Sequence, residues 1–152
     1  ERSFEALSEC DLKPYTWMGQ ALDSVMAAHV LYSQIDAKPA GFSEYWLKTV
    51  LREKLHFTGV VFSDDLSMKG ALGAGNVTER AQAALQAGCD MLILCNDFTA
   101  SDELLRTLKF EDSPERADRV KRIMPKGDAM DWESLAHSAL YKRSLVYLAA
   151  IE

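Results

Sequence analysis

The sequence predicts an α/β protein built on a parallel sheet, and three observations carry that expectation. Short apolar runs at 24–28, 60–62 and 91–94 each lead into a segment with helical spacing, and strands alternating with helices imply parallel pairing. Val60-Val61-Phe62 is continuously apolar, the pattern of a strand buried on both faces. That run passes straight into Ser63, Asp64 and Asp65, placing two adjacent carboxylates where the strand ends.

The first strand, Ser24-Val25-Met26-Ala27-Ala28, is followed by a loop from Asp36 to Gly41 and then by a helix starting at Ser43, a good N-cap residue. Phe42 and Leu47 hold the N′ and N4 positions of a hydrophobic staple. Trp46, Leu47, Val50, Leu51 and Leu55 give that helix one apolar face. After the second strand, Gly70, Gly73 and Gly75 lie in what is expected to be a mobile loop. A helix then runs from about Thr78 to Ala87, burying Ala81, Ala84 and Leu85, with Gly88 at C′. The third strand, Met91-Leu92-Ile93-Leu94, precedes a helix over 101–108, and helical segments near 114–124 and 132–149 close the chain.

With 152 residues, 48% apolar and 26% charged, the chain can bury the core of one domain. A net charge of −6 argues against nucleic acid or an anionic membrane as partner. No apolar run approaches the roughly 20 residues of a membrane span, so no membrane insertion is expected. Cys10, Cys89 and Cys95 form no C-x-x-C pair, and the ends of the 89–95 strand lie roughly 20 Å apart, too far for a disulfide. Reduced thiols in a cytoplasmic protein are the expectation. His29, His56 and His137 lack metal-ligand spacing, and neither a metal nor a cofactor is expected. Three strands cannot close a barrel, and an eight-unit barrel takes about 250 residues. The chain is therefore either a small open sheet or the C-terminal part of a larger fold; beginning at Glu1 rather than Met, it is expected to be the second.

Asp64 leads the candidates. An Asp-Asp pair in an exposed turn needs no function, its acids capping Leu66–Gly70. Here a wholly apolar run precedes it, and charges at the rim of a buried strand cost stability unless a cation, a donor or a function offsets them. A calcium loop starting at Asp65 fails, since Lys69 and Asn76 stand where oxygen ligands and a Glu belong. Gly70, Gly73 and Gly75 read G-x-x-G-x-G, not the dinucleotide fingerprint. His29 and Asn96 fall at or just past the ends of the first and third strands. Either can line the same mouth as Asp64 and bind substrate, or be a packed or backbone-bonded polar residue.

One stretch, Phe62-Ser63-Asp64-Asp65-Leu66-Ser67-Met68, resembles the family 3 glycoside hydrolases, in particular the bacterial NagZ-type β-N-acetylhexosaminidases. Asp11 to Tyr15, Val25 to Val30, Asp36 with Pro39 to Ser43, and Ala87 to Met91 with Cys95-Asn96 extend the likeness over most of 11–97. The resemblance implies a (β/α)8 TIM-type barrel of which residues 1–152 form the C-terminal portion, about three βα units plus terminal helices. It implies that the N-terminal part of the same enzyme, absent from this chain, is a partner. It further implies removal of terminal β-linked N-acetylglucosamine from muropeptide fragments in cytoplasmic peptidoglycan recycling. In that scheme Asp64 is the nucleophile, kept ionised by donors such as Ser63, Ser67 or backbone N–H groups, and Asp65 is a structural partner capping the next turn. The family's acid/base, a His paired with an Asp on a mobile loop, has no counterpart here. Two rivals stay open on the residues alone: a metal-dependent hydrolase using Asp64 and Asp65 as ligands, and a non-catalytic binding or assembly fragment.

Overall fold

The computed structural model describes residues 2–19, 21–111 and 113–151. Two short helices, α1 (Phe4–Glu9) and α2 (Lys13–Met18), precede the first strand; at six residues each they are too short for an apolar period to announce them. Strands β1 (Ser24–Ala27), β2 (Val60–Asp65) and β3 (Met91–Ile93) form one sheet in that order, every pairing parallel. The α/β expectation therefore holds for this chain, with β2 central.

Between β1 and β2 the chain turns through a 3-10 segment (Ala40–Phe42) into a helix at Tyr45–Lys54. That helix is wound as a π-helix rather than the expected α-helix, and its last N–H, on Leu55, reaches back five residues to Val50. Its start behaves as the sequence foretold, because the Ser43 hydroxyl accepts the Trp46 N–H at 3.1 Å. Residues four apart divide the labour. Leu47 and Leu51 enter the main core with Phe42, Phe57, Val61 and Leu66, while Trp46 and Val50 pack with Leu7 in a second cluster. Tyr32 and Phe4 rings close on Trp46 there, at centroid distances of 5.0 and 6.1 Å.

The glycine segment after β2 is not a loose loop: Lys69–Ala74 is a 3-10 helix, with Ala71 fully buried in the core. Helix α3 (Val77–Ala87) follows and buries Val77, Ala81, Ala84 and Ala87, with Leu85 half-buried. Its N-terminus carries a capping box: Asn76 Oδ1 accepts the Glu79 N–H at 3.0 Å and Glu79 Oε2 accepts the Asn76 N–H at 2.7 Å. Helices α4 (Phe98–Thr107) and α5 (Pro114–Ile123) come next. The final segment is two helices, α6 (Trp132–His137) and α7 (Ala139–Ala149), not one. Ser138 divides them by turning extended and offering its hydroxyl to the Tyr141 N–H, the local competition by which Ser ends helices.

The two sheet faces differ. Val25 and Ala27 pack into the main core, whereas Met26, on the opposite face, is 56% exposed. Register sets Met26 beside Phe62 and Phe62 beside Met91, so these share that open face. Val60 and Val61, on opposite faces, are both fully buried, so the strand starts covered on both sides as expected; from the half-buried Phe62 onward one face is open.

At the N-terminal end of the sheet a buried ion cluster ties the layers together. The Asp90 carboxylate accepts from Arg52 of the π-helix at 2.8 Å, from Arg119 of α5 at 3.0 and 2.6 Å, and from the Val61 N–H at 2.9 Å. Arg52 also donates to the Phe57 and Gly59 carbonyls. Every lone pair is thereby engaged, the condition under which a buried charge is tolerated. A cavity of about 710 Å³ opens beside this cluster, lined by Arg52, Arg119, Arg122 and Lys126 among others. Its guanidinium groups are already committed to Asp90 and to carbonyls, including Thr58 O at 2.6 Å from Arg122. The cavity lies away from Asp64.

Candidate active site

Asp64 is the penultimate residue of β2 and is half-buried. Side chains alternate along a strand. With Ser63 fully buried on the core side, Asp64 falls on the open face with Phe62 and Met26. One of its oxygens, Oδ1, accepts the N–H of Asp65 at 2.9 Å. No other hydrogen bond or ion pair engages Asp64 among the described residues. Its second oxygen is thus uncommitted, the state a nucleophile or a ligand-binding carboxylate requires.

The two serines expected to steady Asp64 serve elsewhere. Ser63 Oγ accepts the Ile93 N–H at 2.9 Å, and Ser67 Oγ donates to Asp65 Oδ2 at 2.7 Å. The Asp65 carboxylate is crowded: Oδ1 accepts the Ser67 N–H at 2.9 Å and the Cys95 N–H at 3.0 Å. Burial by itself would push this carboxyl up, but the Ser67 hydroxyl, these two N–H groups and the nearby His29 outweigh it and hold it below the usual carboxylate range. Asp65 is therefore an anion fixed by donors, and its two oxygens are taken. The turn-capping role expected of it is present; its reach across to β3 is not something the sequence indicated.

His29 lies just past β1 and is half-buried. Its ring stacks on Phe42 at 4.7 Å, and its Nε2 lies 3.2 Å from the Asp65 carbonyl oxygen. A carbonyl only accepts, so Nε2 carries the proton. Nδ1 is buried without a partner. Two glycines make room for the imidazole: a Cβ at Gly41 would meet Nδ1 at 3.3 Å and the Ala27 carbonyl at 2.8 Å, and one at Gly70 would meet His29 Cβ at 3.0 Å. Asn96 is exposed and takes a left-handed backbone, φ 59°, immediately after Cys95. The structure thus brings His29 to the rear of the Asp64 strand end and leaves Asn96 beside it, one residue from a direct link to Asp65. The ends of all three strands converge on Asp65. Among the described residues no three His, Cys, Asp or Glu side chains gather as a metal would need.

Residues 1–125 match the model of the glycosyl hydrolase family 3 N terminal domain. The chain belongs to glycosyl hydrolase family 3. A β-hexosaminidase of Bordetella avium is 47% identical over 144 residues, covering 94% of this chain and 41% of the relative. The crystal structure of native NagZ from Neisseria gonorrhoeae superposes with a TM-score of 0.84 at 37% identity, over 98% of this chain and 43% of that one. The same enzyme in complex with N-trifluoroacetyl-D-glucosamine gives 0.82 at 35% identity, over 98% and 42%. The chain spans about two fifths of the length of these relatives. Within this family it is similar, at 35% identity or more, to NagZ of Neisseria gonorrhoeae and to relatives named β-hexosaminidase.

Proposed function

We propose that these residues are the nucleophile-bearing portion of a retaining β-N-acetylglucosaminidase, the last three strand–helix units and terminal helices of a (β/α)8 barrel. One observation carries the reading: a carboxylate with an uncommitted oxygen, Asp64, stands at the C-terminal end of the central strand, where barrels of this type keep their chemistry. The kinship with enzymes named β-hexosaminidase, one of them bound to an N-acylated glucosamine, supports the sugar.

In this mechanism Asp64 attacks the anomeric carbon as the bond to the leaving oxygen breaks, giving a covalent glycosyl-enzyme through an oxocarbenium-like transition state. The Asp65 N–H holds the other oxygen of Asp64, so the attacking lone pair is aimed without side-chain rotation. A proton must reach the leaving oxygen, and a base must later activate water. That group is proposed to come from an N-terminal portion of the enzyme outside residues 1–152, which would also face the open side of the sheet at Met26 and Phe62. The substrate proposed is a muropeptide with a terminal β-linked N-acetylglucosamine, bound with help from His29 and Asn96, in cytoplasmic cell-wall recycling.

The test is hydrolysis of 4-nitrophenyl N-acetyl-β-glucosaminide by the complete enzyme. Asp64→Asn is expected to lower kcat by about 10⁴-fold or more, the loss typical of a residue on which the covalent step depends. Turnover near wild type would move the nucleophile elsewhere. Activity lost to a chelator and restored by a divalent cation would favour the metal-hydrolase reading instead.

A further inference from the structure

We propose that Asp65 is a positioning residue for Asp64: its carboxylate ties the end of β2 to the chain leaving β3 and so sets the backbone whose N–H aims the nucleophile. The inference rests on the reading of Asp64 as nucleophile and adds to it a function for its neighbour. Between Phe62 and Asp65 the β2 strand takes three steps while β3 takes two, from Met91 to Ile93. Such a bulge inserts one residue, weakens direct pairing and re-aims a side chain.

The gap it leaves is filled by side chains in place of a backbone ladder. Ser63 Oγ takes the Ile93 N–H and Asp65 Oδ1 takes the Cys95 N–H, while the Leu66 N–H returns to the Ile93 carbonyl at 2.9 Å. Asp65 is the residue of this set that links Asp64 to the chain after β1 and to the chain after β3. Its N–H reaches Asp64 Oδ1, its carbonyl accepts from His29 after β1, and its carboxylate gathers Ser67 ahead and Cys95 across. Anchored by its carbonyl and by its carboxylate, the Asp65 backbone is restrained, and with it the N–H it directs at Asp64. Placed that way, the Asp64 carboxylate has one oxygen held and one presented. Without the Asp65 carboxylate, β3 loses its acceptor at Cys95, the turn at Ser67 loosens, and the N–H is free to swing.

Steady-state kinetics of the complete enzyme on the 4-nitrophenyl substrate, with kcat expressed per folded molecule from thermal unfolding, test this. Asp65→Leu is expected to lower kcat about 10²-fold at unchanged KM, since a misaimed reacting group costs transition-state and not ground-state binding. Asp65→Asn keeps an oxygen for the Ser67 and Cys95 N–H groups, and is expected to recover kcat to within about tenfold of wild type. A merely structural residue would change the folded fraction and leave kcat per folded molecule alone; that result, or a loss seen only in KM, overturns the proposal. If Asp65→Leu does not fold, Ser67→Ala decides: about a threefold or greater fall in kcat at constant KM supports it, and wild-type kcat overturns it. Asp64→Gly, run alongside with sodium azide, separates the two ideas. Inactivity reversed by azide upholds the nucleophile whatever Asp65 does; retained turnover without azide removes the nucleophile reading and this inference with it.

Discussion

At Asp36 the Ser43 hydroxyl donates to one carboxylate oxygen and the Lys38 N–H to the other at 3.2 Å, pinning the loop after β1 to the start of the π-helix. These donors, Ser43 first, hold the Asp36 carboxyl below the usual range against the opposing effect of burial. A carboxyl whose folded value lies under its unfolded value, about 3.9, stabilises the fold above that pH. The contribution fades as pH falls through the lower folded value. Asp36→Asn should therefore cost about 1 kcal/mol at pH 7 and progressively less toward pH 3. Thermal melts of the two proteins from pH 7 to pH 3 check this: their Tm difference should narrow with acid, and a constant or widening gap contradicts it. Asp65 shifts in the same direction, so its variants should show the same narrowing. Cys89 is the opposite case: burial pushes its thiol up to about 12, which keeps it protonated and unreactive beneath Gly41.

Among the elements, α3 is the one whose sequence and structure agree most closely. Its alanine stripe lies at helical spacing and its C-terminal Gly88 takes φ 123°, the left-handed turn that glycine permits. The capping box went unread because Asn76 follows a glycine-rich stretch that looks like loop, and the periodicity starts only with Ala81. Removing it by Asn76→Ala should lower stability by about 1 kcal/mol, with little change in activity. Chemical denaturation would show a lower midpoint at constant slope; an unchanged midpoint would mean the cap is satisfied otherwise. The π-helix and the break at Ser138 were not legible for a different reason. Apolar spacing reports which side of a helix is buried, and says nothing of its winding. A serine within a helical pattern is neutral until its hydroxyl finds a free N–H, as at Tyr141. In α7 the exposed Leu140, Val146, Tyr147 and Leu148 show that apolar content alone does not secure burial.

Across the whole molecule the two ends of the sheet are built for different purposes. At the N-terminal end Asp90 is saturated by Arg52, Arg119 and a backbone N–H, a locked joint between helices and sheet. At the C-terminal end Asp64 keeps an oxygen unspent. The Ser63-Asp64-Asp65 run marks in the sequence the end proposed to be reactive, because carboxylates after an apolar strand are conspicuous. The locked end was invisible there, since its partners stand 29 and 38 residues from Asp90. For the same reason Cys95 and His29 could not be assigned to Asp65, though the Asp65-x-Ser67 spacing does carry a turn signal. The central claim, that Asp64 is the nucleophile, is tested most directly by trapping. The complete enzyme would be treated with a 5-fluoro N-acetylglucosaminyl fluoride, whose glycosyl-enzyme hydrolyses slowly, and digested for peptide mass spectrometry. The account predicts one sugar attached to the peptide containing Asp64, absent in Asp64→Asn; a sugar on any other residue would contradict it.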